Sequence, residues 1–188
     1  MERYKRFMKM IRKIGKSRPS FPALTVSAEK GCILKCDLGV LLEHTGVYIG
    51  KGKIVSLNRH GIVRVENEKS FFPPGTDPDK SKIMVACAGE TDKVLRSTKI
   101  AEAARKRIDE KTDYNLFFNN CHRFTTGCVT GNFQNEVVSF AQLESVILEN
   151  MELLYPKRPW WKRIADFVLR REKQDLPKTF HWRAVKLD

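Results

Sequence analysis

A cysteine becomes a nucleophile when its thiolate is favoured and a base stands within reach. Cys121 has a local sequence suited to the first condition. Asn119-Asn120 precede it, and the segment 121–130 (CHRFTTGCVT) predicts a helix that starts at or just before it. Unpaired N–H groups and the dipole at such an end favour a thiolate and can also donate to an oxyanion. The plain alternative is a small buried hydrophobe, the role expected of Cys128, two helical turns along the same face. Four histidines are available as the base. His122 adjoins Cys121 on the helix and is expected to point away from the thiol, and His181 sits in a basic tail. His44 and His60 come from a strand-rich region. His44 opens an alternating run in which His44, Gly46 and Tyr48 share one face, with Gly46 leaving space for a substrate or an opposing helix end. The competing role for His44 is a surface histidine on an edge strand. Pairing Cys121 with His44 across the fold follows the usual logic of thiol enzymes.

The elements that must hold this pair are legible as texture. GCILKC, EHTGVYIG, GKIVSLN, GIVRVE and KIMVACAG are β-branched, partly alternating runs punctuated by glycine and by Phe-Phe-Pro-Pro-Gly at 71–75. Gly-Lys-Gly at 50–52 predicts a tight hairpin, and connections this short predict an antiparallel sheet. Thr91 is expected to cap a helix over about 92–110, with Val94, Leu95, Ile100, Ala104 and Ile108 facing the core. YNLFF (114–118) reads as a further extended piece. Ser139 and Gln142 have the spacing of a capping box for a helix carrying Phe140, Leu143, Ile147 and Leu154, ended by Pro156 and Pro159. Strands first and helices afterwards make the fold class α+β.

Basic amphipathic helices are expected at both ends. Residues 1–16 place Tyr4, Phe7, Met8, Ile11 and Ile14 on one face and lysines and arginines on the rest, and 160–173 (WWKRIADFVLRREK) has a similar make-up. Each is either a helix packed on the domain with a solvated basic face or an anchor on an anionic membrane surface. The 35 Lys and Arg against 22 Asp and Glu give a net charge of +13, which attracts polyanions. Nucleic acid is the weaker expectation, because no recognised binding motif accompanies the charge. Five cysteines and no secretory signal point to reduced thiols and a cytoplasmic protein, with any membrane contact peripheral. A zinc site from Cys32, Cys36, Cys121, His122 and Cys128 is disfavoured: on one strand the first two thiols lie about 13 Å apart. Neither metal nor cofactor is expected.

EHTGVYIGKGKIV followed much later by NNCHRFTTGCVTG resembles the lecithin:retinol acyltransferase-like family, a circularly permuted branch of the NlpC-type papain-like hydrolases. The pattern is a histidine on a strand ending Tyr-x-Gly, a glycine turn, a second strand, and Asn-Cys at a helix start. Here these are His44, Tyr48, Gly50, Gly52, the strand 53–57, Asn120 and Cys121, over about residues 30–130. The resemblance implies a permuted papain-like domain (30–154) between a basic extension (1–29) and a basic aromatic helix or tail (155–188). It implies a thiol acyl-enzyme mechanism on ester or amide bonds. Phospholipid-directed acyltransferases and phospholipases belong to the family, and peptide amidase chemistry or a non-enzymatic basic binding module are the alternatives. Asn120, Tyr48 and Gly46 are placed near substrate and oxyanion. The family's third polar residue, often His or Glu, orients the histidine; its position here is Ser56, with Asn58 on the same strand face as the other candidate.

Overall fold

The computed structural model describes residues 25–37, 43–72, 76, 81–112, 120–156 and 175–187. The terminal helices expected at 1–16 and 160–173 and the extended piece at 114–118 lie outside the described residues. What is described is α+β: a seven-stranded sheet, mostly antiparallel, with helices against it.

The strands are β1 (Val26–Ser27), β2 (Ile33–Asp37), β3 (Glu43–Gly50), β4 (Lys53–Leu57), β5 (Val63–Glu66), β6 (Ile83–Ala88) and β7 (Phe180–Lys186). Their order across the sheet is β1-β7-β6-β2-β3-β4-β5, antiparallel except where β1 meets β7. Gly50 pairs with Lys53, so Lys51 and Gly52 form the turn, and both have positive φ (56° and 64°) as a type I′ hairpin requires. The helices are α1 (Glu68–Phe71), α2 (Thr98–Lys106), α3 (Cys121–Thr130), α4 (Phe140–Glu149) and α5 (Met151–Leu154).

Both faces of the sheet are covered, which is why the central strands read as nearly unbroken apolar runs. On one face Ile33, Val47, Ile49, Val55 and Leu57 pack with Ile100, Ala104, Phe124, Leu143 and Ile147 from α2, α3 and α4. On the other, Leu34, Cys36, Tyr48, Ile54, Ile83 and Val85 pack with Phe71 of α1. The expected capping box of α4 forms, with Ser139 Oγ accepting from Gln142 N–H and Gln142 Oε1 accepting from Ser139 N–H.

Two elements differ from expectation. Helix α2 begins at Thr98 rather than near Thr91, because the backbone of the preceding residues is already engaged. Val94 bridges Cys87, Arg96 bridges Cys32, and Leu95 N–H donates to Ala86 O. The Thr91 hydroxyl closes a turn onto Ala88 O instead. Val94 and Leu95 are buried as expected, but in extended backbone rather than helix. The second difference is β7: Phe180–Lys186, read within a basic aromatic tail, is a strand antiparallel to β6. Alternate residues Phe180 and Trp182 pack on the core with their rings in contact, Trp182 also meets the Phe140 ring of α4, and Trp182 Nε1 donates to Glu144. Basic residues interleaved with that period-2 pattern concealed it.

Candidate active site

Asn120 begins α3 in extended backbone, and its Oδ1 accepts from His122 N–H (3.0 Å) and Arg123 N–H (3.2 Å). Its Nδ2 donates to Val138 O (2.7 Å), tying the helix end to the segment before α4. The side chain is therefore a cap that positions Cys121, and its amide is committed elsewhere than to an oxyanion. Of the first-turn amides, those of His122, Arg123 and Phe124 go to Asn120, leaving Cys121 N–H as the one the cap does not take up. Asn120→Ala is expected to cost about 1–3 kcal/mol, read as a lower denaturant midpoint, with slower reaction of Cys121 toward an alkylating agent.

Cys121 is buried against the start of β3, its thiol 3.9 Å from Glu43 O. His44, on that strand, lies near enough to the thiol that each group shifts the pKa of the other. Burial alone would raise the Cys121 pKa. The hydrogen bond and charge of His44, with the backbone and hydroxyl of Thr45, outweigh burial and bring it below the ordinary thiol value. Burial would likewise lower the His44 pKa. Its hydrogen bonds and charge interactions with Cys121 and Glu66 prevail and push it up to about 9. The two directions are those of a thiolate–imidazolium pair. The His44 ring also leans on Phe71, with centroids 4.8 Å apart.

Ser56 is fully buried, with Oγ 3.2 Å from His44 Nε2. Its hydroxyl donates to Glu66 Oε2 (2.5 Å). An oxygen that has given its proton to a carboxylate can only accept from the ring, so Nε2 carries hydrogen and Nδ1 is left for Cys121. Glu66 Oε2 itself lies 4.0 Å from Nε2. The carboxylate was not anticipated from sequence. It ends β5 opposite Ile54, one diagonal step from Ser56, and the alternation of Arg64 and Glu66 along GIVRVE was its only signal.

The remaining candidates have other duties. Asn58 Oδ1 accepts from His60 N–H (2.9 Å) and Ile62 N–H (3.1 Å), closing the turn before β5, so it does not orient His44. His60 is exposed in that turn beside Arg59. Gly46 leaves no space for a substrate: a Cβ there would come within 2.9 Å of Phe71 and of Val55 O, and 3.0 Å of Ile54. The glycine admits core, not ligand. Tyr48 lies four residues along the strand from His44, about 13 Å away. Its hydroxyl accepts from Gly52 N–H (3.1 Å) and braces the hairpin, outside the Cys121 neighbourhood.

His122 is engaged by a hydroxyl. Its Nδ1 lies 3.3 Å from Thr45 Oγ1, which also meets Thr125 Oγ1 at 3.1 Å. Burial, then the charge of His44, depress its pKa to about 4, so it is neutral at pH 7 and a poor base. Cys128 is buried in the core, and burial raises its pKa. Cys32 and Cys87 are pushed up to about 12 by burial. Among the described residues no group of three or more His, Cys, Asp or Glu is placed to hold a metal ion, and no helix is long and apolar enough to cross a membrane.

No curated protein matches the chain. The family model described as lecithin retinol acyltransferase matches residues 76–134, about a third of the chain. The matched stretch runs from before β6 through α3 and so contains Cys121, while His44, Ser56 and Glu66 precede it. Over that third, which holds Cys121, the chain is similar to the lecithin retinol acyltransferase family.

Proposed function

We propose that this protein is a thiol-dependent acyltransferase or hydrolase that forms an acyl-enzyme on Cys121, with acyl lipids as its substrates. The observation that carries the reading is the pairing of Cys121, at a capped helix start, with the neighbouring His44, their two pKa values displaced in opposite directions. His44 Nδ1 takes the thiol proton and the thiolate attacks the substrate carbonyl carbon. The tetrahedral oxyanion accepts from Cys121 N–H, the helix-end amide the cap leaves over. On collapse the bond to the leaving oxygen or nitrogen breaks, and the imidazolium returns the proton to that atom. Water, or the hydroxyl or amine of an acceptor, then gives its proton to His44 and attacks the thioester, releasing Cys121.

The lipid assignment rests on the charge of +13 and on the apolar-basic make-up of residues 1–16 and 160–173, which suit a peripheral contact with an anionic cytoplasmic membrane surface. Incubation with a p-nitrophenyl fatty ester is expected to give a burst of nitrophenolate and one acyl adduct, located by mass spectrometry on Cys121. No adduct, or an adduct on another cysteine, overturns the mechanism. Turnover of phospholipid in anionic vesicles against turnover of an acylated or amidated peptide then decides the substrate. Peptide turnover alone would make the protein an amidase.

A further inference from the structure

We infer that Glu66 is the charged member of the site, a positioning residue that holds His44 through the buried hydroxyl of Ser56. This deepens the reading of Cys121 and His44 as a reactive pair and rests on it.

A serine beside a catalytic imidazole can accept a hydrogen bond, but it carries no charge to stabilise an imidazolium. The arrangement behind Ser56 supplies that charge. Ser56 Oγ donates to Glu66 Oε2 at 2.5 Å and faces His44 Nε2 at 3.2 Å, so the chain runs from ring N–H to hydroxyl to carboxylate in one direction. Ser56 is fully buried, and the 4.0 Å between Glu66 Oε2 and His44 Nε2 is short enough for direct attraction across a poorly hydrated gap. The geometry needs three strands. β3 carries His44, β4 carries Ser56 and β5 carries Glu66, and the β4–β5 register that sets Ser56 opposite Arg64 and Ile54 opposite Glu66 brings the carboxylate to the hydroxyl.

The groups facing His44 can be followed element by element. α3 presents Cys121 and His122, whose pKa the charge on His44 depresses. β2 places Cys36 opposite His44. α1 presents the uncharged ring of Phe71, with Glu68 and Lys69 exposed to solvent. On β5, Arg64 is exposed and Glu66 is the acid that reaches the ring. Glu66 is thus the negative charge that opposes loss of the His44 proton from the side away from the thiol. Its removal acts on the alkaline limb of the pH profile, where the imidazolium deprotonates, and brings that limb to lower pH.

The test is a ring-nitrogen NMR titration of His44 in the native protein, Glu66→Gln and Ser56→Ala. The measurement requires no substrate. Glu66→Gln keeps an acceptor for the Ser56 hydroxyl and removes only the charge. The expected result is a His44 titration about one pH unit or more below the native value, equivalent to a tenfold or larger change in the protonation equilibrium. kcat/KM on an ester substrate should fall about 10- to 100-fold, the effect of one hydrogen bond involving charge. Ser56→Ala should lower the same titration, and Glu66→Gln added to it should have less effect than in the native background. An unchanged His44 titration in folded Glu66→Gln, or a Glu66→Gln effect undiminished by Ser56→Ala, overturns the inference. If the titration shifts as expected but no acyl substrate is turned over, the relay stands and the proposed function falls. If the native protein turns over esters and Glu66→Gln titrates like native, the relay alone falls.

Discussion

Cys121→Ala is expected to abolish acyl-adduct formation and to lower kcat/KM on an ester substrate by about 10,000-fold or more, the scale seen when a nucleophile acting within a unit is removed. The other thiols are engaged or buried: Cys36, though paired with His44 across β2 and β3, is buried with its thiol toward Phe71 O (3.7 Å). Cys128 lies deeper in the same helix, buried, with its pKa raised by that burial. Cys32 and Cys87 are held near 12, so neither offers an appreciable thiolate at neutral pH. The fold should survive, because the change removes one sulfur from a site at the foot of α3 and leaves the Asn120 cap in place. His44→Ala should fall about 1,000-fold by the same assay, since the thiolate then loses both its counter-charge and its proton acceptor. In the native protein the pair is intact from the lowered pKa of Cys121 up to about 9, where His44 gives up its proton. Activity should therefore decline on the alkaline side near that value, measured as kcat/KM against pH.

Gly31→Ala is expected to produce the largest loss of stability, about 3–5 kcal/mol, read from the denaturant midpoint. Gly31 has φ +88°, a conformation costly for any residue with a Cβ, and the added carbon would collide with the carbonyl of Ser97. That neighbour is backbone and cannot swing aside. Gly31 N–H donates to Tyr48 O (2.8 Å) and Ser97 N–H to Gly31 O (3.2 Å), so this glycine joins β3 to the start of α2. Gly50→Ala is the control. Its φ is similarly positive at +94°, but no atom lies within 4 Å of the added carbon, so only backbone strain of about 1–2 kcal/mol is expected. A difference between the two variants measures the collision itself.

These variants also mark how far the residues could be read before the fold was known. Gly50-Lys51-Gly52 signals its hairpin because positive φ is a local demand met by local residue types. The start of α3 is legible for the same reason: Asn120 is a cap whichever way the helix later packs. Gly46 reads wrongly because a missing side chain is ambiguous, marking either room for a ligand or room for a neighbour. Only the packing of Phe71 and Ile54 against it decides between them. Thr91 is a reasonable cap in isolation, and it is overruled by the long-range bridges of Val94 and Arg96. Phe180–Lys186 forms a strand because β6 offers it an edge.

By itself, the sequence determined the strand-rich first half, the capped helix beginning at Cys121, and the likeness that pairs this cysteine with His44. Each depends on periodicity, turn chemistry or capping within a short stretch of chain. Tertiary structure alone decided what stands behind His44. Ser56 and Asn58 lie on one strand face and cannot be ranked by pattern, but one is buried between a ring and a carboxylate while the other closes a turn. Glu66 enters through the register of β4 on β5, which is set by the whole sheet and by no local segment. The charge that the site lacked in sequence is present, one residue further through space.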